Sequence, residues 1–511
     1  MCANVNNPSK LRFKICTLCV YSLSSNIMKT RIHLSVLLVA LAMCACVSEN
    51  GAADVEKAAP NIIYILADDL GYGDLSCYGQ LKFSTPHLDQ LARDGIRFTR
   101  HYSGSTVCAP SRSVLMTGLH TGHTPIRGNQ EVKPEGQWPL PASAETLAER
   151  LKDAGYVTGA FGKWGLGFPG SEGDPVNQGF DRFFGYNCQR YAHRYYPEYL
   201  WENEEKVYLE GNDWSTMESY APDLIQQKTI EFIRENRDTS FFAFVPIVIP
   251  HAELVVPDDE IYQQYLGKFP ETPYMGREGA DYGPDMIISM YCSQEYPHAT
   301  FAAMVHRIDS YVGEIVKAVE ELGLSENTII MFTSDNGPHM EGGADPRFFN
   351  SNGGLRGFKR DLYEGGVRVP FIVAWPGTIE KGGVSDHPSA FWDLLPTLGD
   401  LTGFELEETD GISFLPELLG GEQPEHKFLY WEFHERGGKQ AILMDQWKAI
   451  RLNVGQNPNG PIELYNLDKD PSEEHNVAEA YPDLVETFAR MMEEERKPSA
   501  KFNFGREARS E

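Results

Sequence analysis

The chain has 511 residues, of which 41% are hydrophobic. That length accommodates one large α/β domain with a smaller one, and that composition excludes an intrinsically disordered chain. The formal net charge of −28 argues against a nucleic-acid-binding protein, because such proteins present excess Lys and Arg to the phosphates.

Residues 1–46 are predicted to be an N-terminal extension and a signal peptide. A basic stretch that begins at Met28, the expected true start, precedes an apolar run at 34–43 that is too short to span a bilayer. The run ends near Cys44 and Cys46, where lipidation of a bacterial lipoprotein and simple cleavage remain alternatives. We therefore expect an exported protein that is periplasmic, outer-membrane-anchored or secreted, with membrane contact only through a lipid anchor.

The basic residues of the N-terminal segment offset part of the negative charge of the remaining chain. Residues 1–46 hold five of the 45 Lys and Arg residues and none of the 73 Asp and Glu residues. The remaining chain therefore has 40 basic and 73 acidic residues and a net charge near −33. Such a protein repels an anionic substrate at long range unless a local basic pocket attracts it.

Four apolar runs are predicted as buried strands, and each runs into polar residues. Short apolar runs that alternate with helices indicate a mostly parallel sheet flanked by helices, in an α/β fold. Ligands bind beyond the carboxyl ends of the strands in such sheets, so the polar residues are expected to converge on one site. The runs are 61–67, 156–161, 240–249 and 328–333, and they are followed by Asp68, Asp69, Lys163, His251, Asp335 and Asn336.

Two helices between these strands are clear in the sequence. One is predicted over 145–154, with Ser143 as its cap and Gly155 as its end. The other is predicted over 301–322, where apolar residues recur on one face until Gly323. Both lie in the segment 47–420, which is predicted to be the catalytic α/β domain.

The tail from 421 to 511 has a different pattern and is predicted to be a C-terminal α+β subdomain. Short strands separated by Gly, Asn and Asp turns precede one helix, which indicates a small antiparallel sheet with a packed helix. The boundary falls in the Gly- and Pro-containing segment 420–424. The predicted strands are 428–433, 440–444, 447–452 and 462–465, and the predicted helix is 483–495.

Cysteines are too few for a disulfide framework, since four remain beyond the N-terminal segment. One of them, Cys108, precedes Pro110 at the predicted start of a helix, because the fixed φ of proline suits a first turn. The helix dipole and the free N–H groups favour an anion there. Chemistry alone therefore leaves two alternatives, an activated thiolate and an ordinary buried cysteine.

The segment Cys-Ala-Pro-Ser-Arg at 108–112 resembles the C-x-P-S-R signature of type I sulfatases, in the alkaline phosphatase superfamily. Further segments resemble the family in the same order along residues 60–480. The resemblance implies an alkaline phosphatase-like fold and points to a subgroup of bacterial polysaccharide sulfatases. The matching segments are NIIYILADDLGYGD, GKWGLG, IPH, TSDNG, LRGFKRDLYEGGVRVP and ELYNLDKDPSEEHNVA.

The resemblance implies that Cys108 is oxidised to formylglycine by a formylglycine-generating or anaerobic sulfatase-maturating enzyme. One hydroxyl of the hydrated aldehyde would attack sulfur, and the other would then expel sulfate. The family also binds calcium together with the formylglycine, and magnesium is the alternative. Hard oxygen ligands suit either ion. The ligands that the resemblance assigns are Asp68, Asp69, Asp335, Asn336 and residue 108.

Cations are needed where negative charge builds up on the sulfate oxygens. Arg112, Lys163 and Lys359 match family positions that hold the nucleophile and the sulfate. His251 matches the histidine that contacts the leaving oxygen, so we assign it as the general acid.

The chain departs from the family pattern at Gly165, where the family has a histidine that is thought to deprotonate the diol. The identity of that base is therefore open. The alternatives are His120, His123 and His193.

Substrate contacts are expected in two segments outside the shared motifs. Arg suits an adjacent sulfated or uronic sugar, and side chains with both donors and acceptors suit sugar hydroxyls. The aromatic stretch at 191–201 would either stack on a sugar or pack in the core. The predicted substrate-binding residues are Gln189, Arg190 and His193 in one segment and His339, Asp345 and Arg347 in the other.

Three functions compete at this stage. The first is hydrolysis of sulfate esters on a sulfated oligo- or polysaccharide, with galactose- or N-acetylgalactosamine-type sulfates favoured by analogy. The second is a phosphodiesterase or phosphonate hydrolase of the same superfamily. The third, suggested by Gly165, is a pseudoenzyme that binds sulfated glycans without cleaving them.

Overall fold

A computed structural model describes residues 59–504, and the predictions for the N-terminal extension and signal peptide lie outside this part of the chain. Eleven strands of this part form a mixed sheet in which parallel pairs predominate near the centre. The α/β class is therefore confirmed. The strands are β1 Asn61–Ala67, β2 Ile96–Tyr102, β3 Val157–Lys163, β4 Arg182–Tyr186, β5 Tyr199–Glu202, β6 Glu205–Tyr208, β7 Phe241–Pro246, β8 Thr328–Ser334, β9 Arg368–Ala374, β10 Gly383–Ser385 and β11 Ser389–Ala390.

The strand order is β10-β2-β9-β8-β1-β7-β3-β4-β5-β6, with β11 also paired to β2. Helices cover the sheet. None of the helices between residues 59 and 504 is long and apolar enough to span a bilayer. The α-helices are Pro86–Asp94, Cys108–Thr117, Leu147–Asp153, Ala221–Glu235, Glu260–Gln263, Pro297–Glu321, Pro346–Phe349, Glu364–Val367, Leu394–Thr402, Leu415–Leu418 and Pro482–Glu494.

The central strand β1 is buried along its whole length. Such a continuous apolar run is typical of a parallel strand that has neighbours on both sides and helices on both faces. It pairs in parallel with β7 and β8, and the register sets Ala67 opposite Ser334. The residues that follow these two, Asp68 and Asp335, therefore emerge side by side at the carboxyl edge of the sheet.

Three predicted boundaries are wrong for local reasons. The helix predicted from 145 begins at Leu147, because Thr146 rather than Ser143 caps it in a capping box with Glu149. The helix predicted from 301 begins at Pro297, since proline suits a first helical turn. The strand predicted over 240–249 ends at Pro246, because proline has no N–H to donate to a neighbouring strand.

The tail forms the predicted antiparallel sheet with one packed helix. On one face of the sheet, Phe488 and Met492 of the Pro482–Glu494 helix pack against Tyr430 and its neighbours. On the other face, residues such as Trp431 join the same hydrophobic cluster as the large sheet. The proposed boundary at 420 stays a prediction. The strands, in spatial order, are β12 Leu429–Phe433, β13 Lys439–Met444, β14 Trp447–Leu452 and β15 Ile462–Asn466.

A buried ion pair joins the small sheet to the Glu364–Val367 helix, which directly precedes β9. The Nζ atom of Lys448 on β14 lies 2.7 Å from Glu364 and 3.7 Å from Glu473, and all three side chains are fully buried. Removing the cation leaves Glu473 without a charge partner and Glu364 with only Arg368, at 3.4 Å, in a medium that solvates carboxylates poorly.

We expect Lys448→Ala to lower the free energy of unfolding by about 3–5 kcal/mol, the usual cost of breaking a buried ion pair. Urea unfolding of the whole chain measures this change. Lys497→Ala is the matched control, because its ammonium pairs with Glu408 at an exposed position and exposed pairs contribute about 0–1 kcal/mol. Equal losses for the two variants would contradict the expectation.

Candidate active site

Four oxygen-bearing side chains meet at the carboxyl ends of β1 and β8, and all are fully buried. The amide of Asn336 donates to Asp69 Oδ1 at 2.6 Å, and the backbone N–H of Asp69 donates to Asp335 Oδ1 at 3.0 Å. The Oδ1 atom of Asn336 is buried and has no hydrogen-bond partner among the described residues. Together with Asp68, these residues form a compact set of hard oxygen donors.

Cys108 is the first residue of its helix and lies against this set. Its Sγ atom is 3.4 Å from Asp68 Oδ1 and 3.3 Å from Lys163 Nζ. Burial, followed by the charge of Asp68, raises the pKa of the thiol well above its ordinary value. Of the two alternatives for the unmodified residue, this environment favours the buried cysteine over the activated thiolate, because desolvation outweighs the helix dipole.

A buried cation faces each of three carboxylates. The distances are 2.5 Å from Lys163 to Asp68, 2.7 Å from Lys359 to Asp69 and 2.9 Å from Arg112 to Asp335. Each of these side chains is at most a few per cent exposed, so the three ion pairs are shielded from water. They supply the positive charge that the sequence predicted for this edge of the sheet.

The three cations do not have the same effect on the pKa of each carboxylic acid. Burial alone would raise the pKa of Asp68, but Lys163 and the other nearby cationic groups hold it well below its ordinary value. Burial and the neighbouring Asp68 raise the pKa of Asp335. The two acids therefore differ in proton affinity because Lys163 faces Asp68 directly, whereas Asp335 has Asp68 as a negatively charged neighbour.

His251 is the middle ring of a stack of three histidines. Its ring lies 5.1 Å from that of His193 and 5.7 Å from that of His339, with interplanar angles of 14° and 21°. Its Nδ1 atom contacts the carbonyl of Ala252, and its Nε2 atom is 3.4 Å from Asp69 Oδ2. Burial and the nearby positive groups lower the pKa of both His193 and His251 well below the ordinary value.

A cavity of about 330 Å³ opens above these groups. The structure brings Gln189, Arg190 and His193 to its wall, together with Cys108. The wall also contains residues that the sequence did not single out, most of them from irregular segments without periodicity. Only Arg360 among them could have been found from the sequence, since it follows Lys359 in one of the segments that carry the family resemblance. The further lining residues are Asn129, Glu131, Gln137, Lys163, His251, Ser289, Tyr291, Lys359 and Arg360.

Three predicted substrate-binding residues do not line this cavity. His339 lies behind His251, with Nε2 2.9 Å from the carbonyl oxygen of Pro250. Asp345 caps the Pro346–Phe349 helix, and the guanidinium of Arg347 lies over the Phe358 ring at 5.1 Å. His339 is buried and therefore out of reach of a substrate, and contact with Asp345 would require a substrate that extends beyond the cavity.

The structure also distinguishes the three candidate bases by their positions relative to the cavity. His120 and His123 stack on each other at 4.2 Å and both approach Asp410, away from the cavity lining. His193 lines the cavity, and its Nδ1 atom is buried without a partner among the described residues. His193 is therefore the candidate that the fold places near Cys108.

Gly165 has a φ of +81°, and a Cβ atom there would lie 2.6 Å from Gln189 Nε2. Gln189 thus occupies the space that a side chain at position 165 would need. The nearby aromatic stretch packs mainly in the core, since Tyr191, Tyr195 and Tyr196 are all buried.

Comparison with known proteins agrees with this geometry. The Sulfatase family model matches residues 60–404. The chain belongs to the sulfatase family. It is a type I sulfatase of the alkaline phosphatase superfamily and hence a sulfuric ester hydrolase. The model of the N-sulphoglucosamine sulphohydrolase C-terminal region matches residues 355–498, which include the small sheet.

This sulfatase is similar over most of its length to characterised proteins. It is 30% identical over 505 residues to the N-acetylgalactosamine-6-O-sulfatase of Bacteroides thetaiotaomicron, covering 85% of this chain and 92% of that protein. It is 32% identical over 491 residues to human arylsulfatase A, covering 84% and 87%. The crystal structure of Ps i-CgsB in complex with k-i-k-neocarrahexaose superposes with a TM-score of 0.70 at 27% identity, covering 88% and 94%.

The contact between positions 165 and 189 gives a stability prediction. Gly165→Ala should cost about 1–2 kcal/mol for its left-handed backbone and about 1–3 kcal/mol more for the collision with Gln189. Gly170→Ala is the matched control, because its φ is +76° but no atom lies within 4 Å of the new Cβ.

Thermal and urea unfolding of the sulfatase variants measure both costs. Adding Gln189→Ala to Gly165→Ala should remove the larger part of the extra loss, since the colliding atoms lie beyond Cβ of Gln189. An unchanged loss in the double variant would show that Gln189 does not fill this space.

Proposed function

We propose that this sulfatase hydrolyses sulfate esters of a sulfated glycan, with a formylglycine made from Cys108 and one bound calcium ion. The observation that carries the proposal is the position of Cys108, buried between Asp68 and Lys163 at the wall of a cavity. The raised pKa of the thiol supports a modified residue, because an unmodified cysteine there is a poor nucleophile.

The donor set fits a hard divalent cation. Ligand atoms of Asp68, Asp69, Cys108 and His251 all lie within 4.8 Å of one another. Asn336 Oδ1 is an orphaned acceptor beside them, which a cation would satisfy. Carboxylate and amide oxygens suit calcium, with magnesium as the alternative. When bound, the ion supplies positive charge for the sulfate oxygens.

The side chains at the site have separate roles in the reaction, as nucleophile and as groups that hold the sulfate. Once Cys108 is a hydrated formylglycine, one hydroxyl would attack sulfur while the bond from sulfur to the alcohol oxygen breaks. The second hydroxyl would then lose its proton, the C–O bond to sulfate would break, and the aldehyde would return. Lys163, Lys359 and Arg112 hold the sulfate oxygens and the nucleophile by charge-assisted hydrogen bonds.

Two histidines act as proton donor and proton acceptor in the reaction. The Nδ1–H group of His251 donates to the carbonyl of Ala252, so proton transfer to the leaving alcohol would use Nε2 of the protonated ring, beside Asp69 Oδ2. His193 accepts the proton released when sulfate is expelled, since its Nδ1 atom is buried without a partner among the described residues and it lines the cavity.

The glycan substrate is inferred from relatives. One relative is an N-acetylgalactosamine-6-O-sulfatase, and one similar structure holds k-i-k-neocarrahexaose. We therefore propose a galactose- or N-acetylgalactosamine-type sulfate on an oligo- or polysaccharide. An exported location and maturation by a formylglycine-generating or anaerobic sulfatase-maturating enzyme remain part of this proposal.

Replacing Cys108 with Ala tests the nucleophile. Protein co-expressed with a maturation enzyme should release sulfate from a panel of sulfated galactose and N-acetylgalactosamine derivatives, and Cys108→Ala should reduce the rate to background. Mass spectrometry of the peptide should show an aldehyde in place of the thiol. Cys77→Ala is the matched control, since Cys77 does not line the cavity. Full turnover by a protein that carries only the plain thiol would refute the proposal, as would turnover of phosphodiesters alone.

Replacing His193 with Ala tests the proton acceptor. Loss of a general base typically lowers kcat by about 10²–10⁴-fold, and the covalently sulfated enzyme should accumulate because its breakdown is slowed. Rapid quench followed by intact-mass measurement detects that species. His123→Ala should retain kcat, with unfolding curves for both variants to check the fold. Equal kcat values for His193→Ala and the unsubstituted enzyme would exclude His193.

A further inference from the structure

An irregular loop at 275–293 supplies one side of the cavity wall. The loop, all of which the structure describes, contains no helix or strand, and backbone hydrogen bonds of 2.8 and 2.9 Å between Tyr274 and Gln294 close its base. Loops of more than about 12–15 residues without secondary structure usually have a function when they occur in compact domains. Two residues of this loop, Ser289 and Tyr291, line the cavity.

A buried ion pair holds the loop in place. The guanidinium of Arg194 contacts Glu253, and both side chains are fully buried. Arg194 also donates to the backbone carbonyls of Ala280 and Ile287, the second at 2.8 Å. The hydroxyl of Tyr282 donates to Glu253 at 2.5 Å. The loop is therefore ordered before a substrate enters, and the residues that it places in the wall are preorganised for binding.

Tyr291 lies beside the two histidines that are proposed to transfer protons. Its ring centroid is 5.1 Å from that of His193 and 6.3 Å from that of His251, with interplanar angles of 48° and 60°. The side chain is partly exposed, and its hydroxyl forms no hydrogen bond with any described residue. Burial raises the pKa of Tyr291 well above its ordinary value, so the phenol keeps its proton and can donate it to a hydrogen bond.

The position of Tyr291 matches that of the leaving sugar. In the proposed function, the sulfate lies between residue 108 and the buried cations, and the leaving oxygen lies at Nε2 of His251. The sugar on that oxygen extends from His251 into the cavity, where Tyr291 forms part of the wall. A phenol hydroxyl both donates and accepts hydrogen bonds, which suits a sugar hydroxyl, and the ring offers an apolar surface to the C–H groups of the sugar.

We infer that Tyr291 is a specificity-determining residue, which binds the leaving sugar through a hydrogen bond between its own hydroxyl and a hydroxyl of that sugar. The ring of Tyr291 packs against the same sugar. This inference rests on the proposed function and assigns a contact to the sugar rather than to the sulfate. A sulfate ester whose leaving group has no such hydroxyl does not gain this contact.

Tyr291→Phe tests the hydrogen bond, because it removes the hydroxyl and keeps the ring. The probes for the matured enzyme are 4-nitrophenyl sulfate and the 4- and 6-sulfates of galactose and N-acetylgalactosamine. For the sugar sulfate that is turned over fastest, kcat/KM should fall by about 3–10-fold, the effect of losing one hydrogen bond between neutral groups. For 4-nitrophenyl sulfate, which has no sugar hydroxyl, the fall should be less than about twofold.

Tyr291→Ala removes the ring as well. The value for the same sugar should then fall by about 10–100-fold, because the apolar contact is lost together with the hydrogen bond. Tyr274→Phe is the matched control, since it removes a tyrosine hydroxyl at the base of the same loop but outside the cavity lining. It should leave kcat/KM within about twofold for both kinds of probe, and urea unfolding of each variant checks the fold.

Calorimetric titration of Cys108→Ala protein with the same probes gives Kd values without turnover. Adding Tyr291→Phe should raise the Kd of the sugar sulfate by about 3–10-fold, whereas a purely structural role would weaken the binding of every probe alike. Equal losses for the sugar sulfate and 4-nitrophenyl sulfate would overturn the inference, as would an unchanged Kd of the sugar sulfate or no binding of any sugar sulfate. If binding depends on Tyr291 as expected but the matured enzyme releases no sulfate from any probe, the proposed function fails and the inference about sugar binding stands.

Discussion

The contact between the ends of β1 and β8 is the constraint on which the rest of the site depends. The parallel register sets Ala67 opposite Ser334 and so forces Asp68 and Asp335 together where both are fully buried. Two desolvated carboxylates in contact are unfavourable unless positive charge is supplied. The positions of the three buried cations follow from this need, and so does the fit of the cluster to a divalent ion.

The same edge of the sheet also determines the position of Lys163. Lys163 ends β3, and a Cβ atom on Gly162 would lie 2.0 Å from the carbonyl oxygen of Pro246 on β7. Glycine therefore lets β3 and β7 approach closely, and the lysine that follows on β3 reaches across β7 to Asp68 at the end of β1. The sheet backbone thus fixes Lys163 and Asp68 relative to each other, which preorganises this part of the charge arrangement.

Sequence patterns predicted this part of the molecule because buried parallel strands have continuous apolar runs and end at polar residues. The strand positions of β1 and β8, and the convergence of Asp68 with Asp335, follow from that rule. The cap at Thr146 was missed, since Ser143 and Thr146 have similar capping preferences and only the contact with Glu149 distinguishes them. The wall residues Glu131 and Tyr291 lie in irregular segments, where no periodicity marks a side chain that faces a cavity.

The small C-terminal sheet contributes to the site although none of its residues lines the cavity. Lys439 on β13 donates to the carbonyl of Arg360 at 2.6 Å and to Asp361 at 2.8 Å. Arg356 donates to the hydroxyl of Tyr465 on β15 at 2.9 Å. These bonds clamp both sides of the loop that carries Lys359, whose ammonium must stay beside Asp69.

A rigid loop matters here because a lysine side chain loses much rotational freedom when it is buried. If the loop that carries Lys359 were also free to move, holding the ammonium beside Asp69 would cost more free energy than the ion pair contributes. The second sheet is therefore a support for the charge arrangement at the first, which explains why the two share a hydrophobic core and why a buried ion pair joins the small sheet to the helix before β9.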